Sequence, residues 1–169
     1  MVCFLGTINS AICQDDTPIF VTRFIELYKD GDTFYKAGDY NSAVNSFTSG
    51  LEIIEENIGK ENRNYVFNLS YLAGTYSSLG EYDKALELNI QCLALYEKIS
   101  GKEHPDYAMS LDHLAGDYRN LGNYDKALEL NLACLVLREQ IYGKEHPDYA
   151  LALGNLAITY SSLGDYDKA

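Results

Sequence analysis

Between residues 106 and 121 the apolar side chains fall at helical spacing. Leu111, Leu114, Ala115 and Tyr118 stand at i, i+3, i+4 and i+7, and Leu121 extends the stripe. That pattern predicts an amphipathic helix over Asp106–Leu121. Gly122 can adopt positive φ and is the predicted stop. A second apolar face, formed by Ala127, Leu128, Leu130, Cys134, Leu135 and Leu137, predicts another helix from Tyr124 to Tyr142, closed by Gly143.

This two-helix pattern recurs. Tyr-Asp-Lys-Ala begins at Tyr82, Tyr124 and Tyr166, 42 residues apart each time, and Tyr40-Asn41-Ser42-Ala43 is a weaker copy one step earlier. Residues 101–127 and 143–169 are identical at 18 of 27 positions. The string GKEHPDYA runs from Gly101 to Ala108 and again from Gly143 to Ala150, with a degraded version, GKENRNYV, at 59–66. A lone helical hairpin cannot bury its apolar face, but a stack of about three or more can. The expected architecture is an all-α solenoid of three and a half hairpins. The predicted units are 22–61, 62–103, 104–145 and 146–169, after a leader at 1–21. The last unit stops at Ala169 as its second helix begins, so the chain reads as a piece of a longer one.

The repeated positions carry a resemblance. A large residue at Leu27, Leu69, Leu111 and Leu153 is followed by a small one at Gly31, Ala73, Ala115 and Ala157. An aromatic follows at Phe34, Tyr76, Tyr118 and Tyr160, then Ala43, Ala85, Ala127 and Ala169. This pattern resembles the tetratricopeptide repeat. The 42-residue period, the G-K-E-H-P-D linker and Asn155-Leu156-Ala157 resemble more specifically the repeats of kinesin light chains. The resemblance covers residues 22–169 and implies a right-handed superhelix of antiparallel helix pairs.

The chain has 169 residues, of which 47% are apolar and 22% charged, and this composition is globular. The net charge of −12 argues against nucleic acid as a partner and against anionic membrane surfaces. No apolar run is long enough to span a bilayer as a helix. The opening stretch MVCFLGTINSAICQDD looks like the end of a secretory signal, with Ala11 and Cys13 as small residues before Gln14, although it lacks a basic start. Export and an N-terminal segment that is only frayed remain the two readings, and the compartment stays open. Cys3, Cys13, Cys92 and Cys134 form no zinc-type spacing. Cys92 and Cys134 are equivalent in successive units. Stacked helices lie roughly 8–10 Å apart, and a disulfide needs Cα atoms within about 7 Å, so buried free thiols are expected.

GKEHPDYA gathers Glu, His, Asp and Tyr, a list that suggests acid–base chemistry or a metal at His104 or His146. A zinc-protease helix needs two His at i, i+4, and each copy has one, placed before a Pro. Helix punctuation explains the string better. Gly101 and Gly143 stop one helix, and Pro105 and Pro147 suit the first position of the next. Asp106 and Asp148 face its dipole, and Tyr107 and Tyr149 pack on the preceding helix. No phosphate loop, nucleophile elbow or triad order appears. The chain reads as non-catalytic, with no cofactor, no metal and no evident small-molecule substrate.

Function then moves to the free face of each first helix, opposite the arc of about 120° that must pack. The resemblance places that face on the concave side and implies that it holds an extended protein or peptide partner. The candidate residues are Tyr28, Asp32 and Tyr35 in the first unit, and Phe67, Ser70, Tyr71 and Ser77 in the second. The third contributes Met109, Asp112, His113, Arg119 and Asn120, and the fourth Asn155, Ile158 and Ser162. The family's peptide-clamping asparagine falls on Asn155, with His113, Tyr71 and Lys29 at the matching places. The expected function is an interaction scaffold. Two other readings stand beside it: a sensor or regulatory region of a larger enzyme, such as a caspase-like protease or sensor kinase with its catalytic domain beyond Ala169, and a structural spacer.

Overall fold

A computed structural model describes residues 17–164 as seven α-helices with no strand among them. They are α1 (Ile19–Lys36), α2 (Tyr40–Asn57), α3 (Arg63–Ser78), α4 (Tyr82–Ser100), α5 (Pro105–Asn120), α6 (Tyr124–Tyr142) and α7 (Pro147–Leu163). Each packs on the next in chain order, which makes an all-α solenoid of hairpins. The signal-like stretch, Cys3, Cys13 and residues 165–169 lie outside the described residues. Helix α1 starts directly after Pro18, so Ile19, Phe20 and Val21 belong to it rather than to a leader. Helices α5 and α6 match the predicted spans to within a residue, and Gly122 and Gly143 turn the chain at φ 76° and 80°.

Inside each hairpin, small residues let the two helices approach. Ala43, Ala85 and Ala127 are fully enclosed, and so are Ala73 and Ala115. At the position equivalent to these last two, Gly31 lies under Phe47, and a Cβ built there would stand 2.7 Å from the Phe47 ring. Leu27, Leu69 and Leu111 are buried, but their equivalent Leu153 is 42% exposed, because no described helix follows α7 to cover it. Cys92 and Cys134 are free and buried. Each thiol donates to a carbonyl of the first helix in its own hairpin, Val66 O and Ala108 O, and burial pushes both up to about 12.

Between hairpins the contact is partly polar, which the apolar pattern did not predict. Asn68 Nδ2 donates to Phe47 O at 2.6 Å, Asn89 Nδ2 to Asp117 Oδ2 at 2.5 Å, and Asn131 Nδ2 to Thr159 Oγ1 at 2.7 Å. Asp117 occupies the place of Thr75 and Thr159 in the neighbouring units. It is 3% exposed. Burial raises its carboxyl to about 6, against the pull of the Asn89 hydrogen bond.

Two predictions follow from this packing. Gly31→Ala forces the enclosed Phe47 ring to move and should lower the unfolding free energy by about 1–3 kcal/mol, measured in urea. Asp117 takes up a proton more readily folded than unfolded. Its contribution is therefore fully present below the unfolded pKa near 4 and is lost as pH rises through about 6. Asp117→Thr should stabilise the chain at pH 7.5, by up to about 3 kcal/mol more than it does at pH 4. Equal effects at the two pH values would contradict the buried-carboxyl account.

Candidate functional site

The first helices of successive hairpins touch one another directly, and this joins their free sides into one surface. At the α1–α3 junction Tyr28, Phe67 and Tyr71 form an aromatic cluster with centroid separations of 4.9–5.6 Å, and Phe47 lies against Tyr28 and Tyr71. Burial holds the Tyr28 phenol well above its ordinary value, with the Tyr71 hydroxyl adding to the effect, so it stays protonated. Nearer the other end of these helices, the Tyr35 and Ser78 hydroxyls hydrogen-bond at 3.0 Å. Asn120 Nδ2 reaches Ser77 Oγ at 3.3 Å from α5 to α3. Asp32 pairs with Lys36 one turn along α1 at 2.6 Å.

Ser70 departs from the expectation. It is buried, and its hydroxyl donates to Phe67 O within its own helix, so it does not line an open surface. Ser162 is exposed and donates to Ile158 O at 2.9 Å. Ile158 and Leu151 keep about half of their surface exposed on α7. Arg119 is half-buried and Asn120 exposed.

Met109, Asp112, His113 and Asn155 come together around a cavity of about 440 Å³ between α5 and α7. Pro105, Asp106, Asp148, Leu151, Arg138 and Tyr142 complete the wall. Arg138 is the residue the first-helix argument missed, because it belongs to α6. It is buried, pairs through NH2 with Asp112 Oδ2, and donates from NH1 to Asp148 O at 2.8 Å. Its equivalents Ile54 and Tyr96 are buried core residues. A charge in that register is the sequence signal that could have revealed it. His113 lines the cavity and is exposed. Desolvation lowers its imidazole, against the raising effect of Asp112.

The histidines of GKEHPDYA have a structural place in this arrangement. His104 and His146 are N-caps: each Nδ1 accepts from the backbone N–H two residues on, Asp106 and Asp148, at 3.1 Å. Their ring proton is therefore on Nε2. Pro105 and Pro147 open α5 and α7, and Tyr142 stacks on His146 at 4.3 Å.

The family model for the tetratricopeptide repeat matches residues 64–131 and 108–169. No curated protein matches the chain in sequence. Among solved structures, the chain is similar to the nearly identical TPR-like repeats of a Podosopora anserina protein described as a kinesin light chain, at 24% identity and a TM-score of 0.76 over 85% of this chain and 68% of that one. It is similar to BtubC (BKLC) from P. vanneervenii, at 19% identity and a TM-score of 0.81 over 92% of this chain and 62% of that one. It is also similar to a Rap protein complexed with Competence and Sporulation Factor, at 18% identity and a TM-score of 0.75 over 90% of this chain and 41% of that one. At these identities the likeness shows the fold.

Loss of a helix cap typically costs about 1 kcal/mol. His104→Ala should lower stability by that amount in urea unfolding, and His104→Asp should restore it. A variant as stable as the parent would remove the capping role.

Proposed function

Because the chain belongs to the tetratricopeptide repeat family, we propose that it is a non-catalytic interaction module that holds an extended peptide of a partner protein along the face of its first helices. The fold is typical of protein-interaction scaffolds, and the similar Rap protein was solved with Competence and Sporulation Factor.

The observation that carries the reading is the mixed character of one continuous face. The odd helices meet through Tyr28, Phe67 and Tyr71, through Tyr35 and Ser78, and through Ser77 and Asn120. Leu151 and Ile158 leave apolar surface open on α7. Gly74, Gly116 and Gly154 leave open space where a side chain would stand. An extended backbone needs that combination: room to approach, apolar footholds for alternate side chains, and polar groups for its amides. Arg119, Asn120, Asn155 and Asp32 are assigned the polar role. Met109, Phe67, Tyr71 and Ile158 are assigned the apolar one.

Selection from a displayed library of random peptides tests this. Arg119→Ala combined with Asn155→Ala should weaken a selected peptide about tenfold, as expected for the loss of two hydrogen bonds of ordinary net strength. Helicity and melting should be unchanged. Undiminished affinity, or protection mapped to α2, α4 and α6, would sink the assignment of the groove.

A further inference from the structure

We propose that the cavity between α5, α6 and α7 seats one basic side chain, an arginine or a lysine, of the peptide bound along the first-helix face. This rests on the groove reading above and names the chemistry of its ligand.

The fold does not require charge here. Position 138 is Ile54 and Tyr96 in the preceding hairpins, both buried. Position 112 is Tyr28 and Ser70 in those units. A buried ion pair in place of such residues gains little stability, because desolvation offsets most of the attraction. Asp112 and Arg138 are nevertheless both more than nine-tenths buried as side chains, at 8% and 7% exposure. The pair lies in the cavity wall rather than in the sealed core.

The pair also leaves a vacancy of one kind. Arg138 gives NH2 to Asp112 Oδ2 and NH1 to Asp148 O. Asp112 Oδ1 is buried and has no hydrogen-bond donor. The adjacent Cys134 thiol donates to Ala108 O, and Asp112 beside it helps to raise the thiol. On the same wall, Asp106 Oδ2 is already met by Arg63 NH2 at 2.7 Å. The remaining buried orphans among the described residues are the carbonyl oxygens of Asn68, Asn89 and Asn131, at the contacts between hairpins. The one orphan of the cavity wall, Asp112 Oδ1, is a carboxylate oxygen, so a ligand that satisfies it brings N–H donors and positive charge.

Shape and charge agree. Asp106, Asp112 and Asp148 line a space of about 440 Å³ and outnumber the two guanidiniums, Arg138 and Arg63, that pair with them. Met109 and the half-exposed Leu151 supply an apolar wall for the methylene stem of a long basic side chain. The net charge of −12 favours the approach of a cation.

The test is an NMR titration of the whole chain with blocked peptides Ala-Ala-Xaa-Ala-Ala, where Xaa is Arg, Lys, citrulline or Glu. The Arg and Lys peptides should shift the signals of Met109, His113 and Leu151, and bind about tenfold more tightly than the citrulline peptide, with the advantage shrinking at high salt. Asp148→Asn should reduce that preference several-fold. Asp112→Ser with Arg138→Tyr, which installs the residues of the preceding hairpin, should abolish it in a chain that still melts cooperatively. Equal binding of the Arg and citrulline peptides overturns the proposal, as does a preference that survives the double variant. Shifts confined to Tyr28, Phe67 and Tyr71 and indifferent to charge would leave the groove standing and remove the basic pocket. No shift with any peptide would also overturn the pocket, and the groove would then be judged by the display selection alone.

Discussion

Each hairpin depends on two helices lying close enough to share one layer of side chains. Ala43, Ala85 and Ala127 start the second helices and are fully enclosed, while Gly31, Ala73 and Ala115 are buried on the first, with Gly31 under the Phe47 ring. A larger residue at either place would push the helices apart and leave gaps around Phe47, Leu69 and Leu111. Because a hairpin closed this tightly still has an apolar side, it must stack. The stack in turn decides which helix faces remain for anything else.

The joints between hairpins follow a different rule. Polar side chains are buried there, and the pairing changes from joint to joint: Asn68 of α3 donates back to a carbonyl of α2, while Asn89 and Asn131, equivalent on α4 and α6, donate forward to a carboxyl and a hydroxyl. Apolar packing alone tolerates sliding along a helix, whereas a buried amide must meet its partner in one register. These contacts fix how each hairpin sits on the next. The Asp117 version does so with a carboxyl whose charge burial opposes. The first-helix face is assembled by this stacking: Tyr28 meets Phe67 and Tyr71, and Asn120 meets Ser77, because the hairpins are held in register.

Much of the local structure was legible because it repeats. Spacing of 3.6 residues, glycine stops and Pro starts placed α5 and α6 almost to the residue, and identical strings showed which positions were equivalent. The role of His104 and His146 was harder to see. Their N-cap bond depends on a ring nitrogen reaching a backbone N–H, and histidine is not among the usual capping residues. Ser70 was assigned to the open face by angle alone, but its hydroxyl folds back onto Phe67 O. An arc computed for an isolated helix does not include the neighbouring helices that close over its edge.

The sequence by itself determined the repeat period, the helical hairpins, the family and the enclosed small residues, because each of these is a local pattern or a comparison between equivalent positions. Tertiary structure alone decided what the odd positions out would do. Arg138 and Asp112 lie on different helices, and nothing in either helix predicts that they meet at a cavity shared with Asp106 and Asp148. Asn89 and Asp117 likewise meet only through stacking. Periodicity reports which side of a helix is buried. It does not report which charged side chain of one helix will face which of another, since that depends on the register of the packed hairpins.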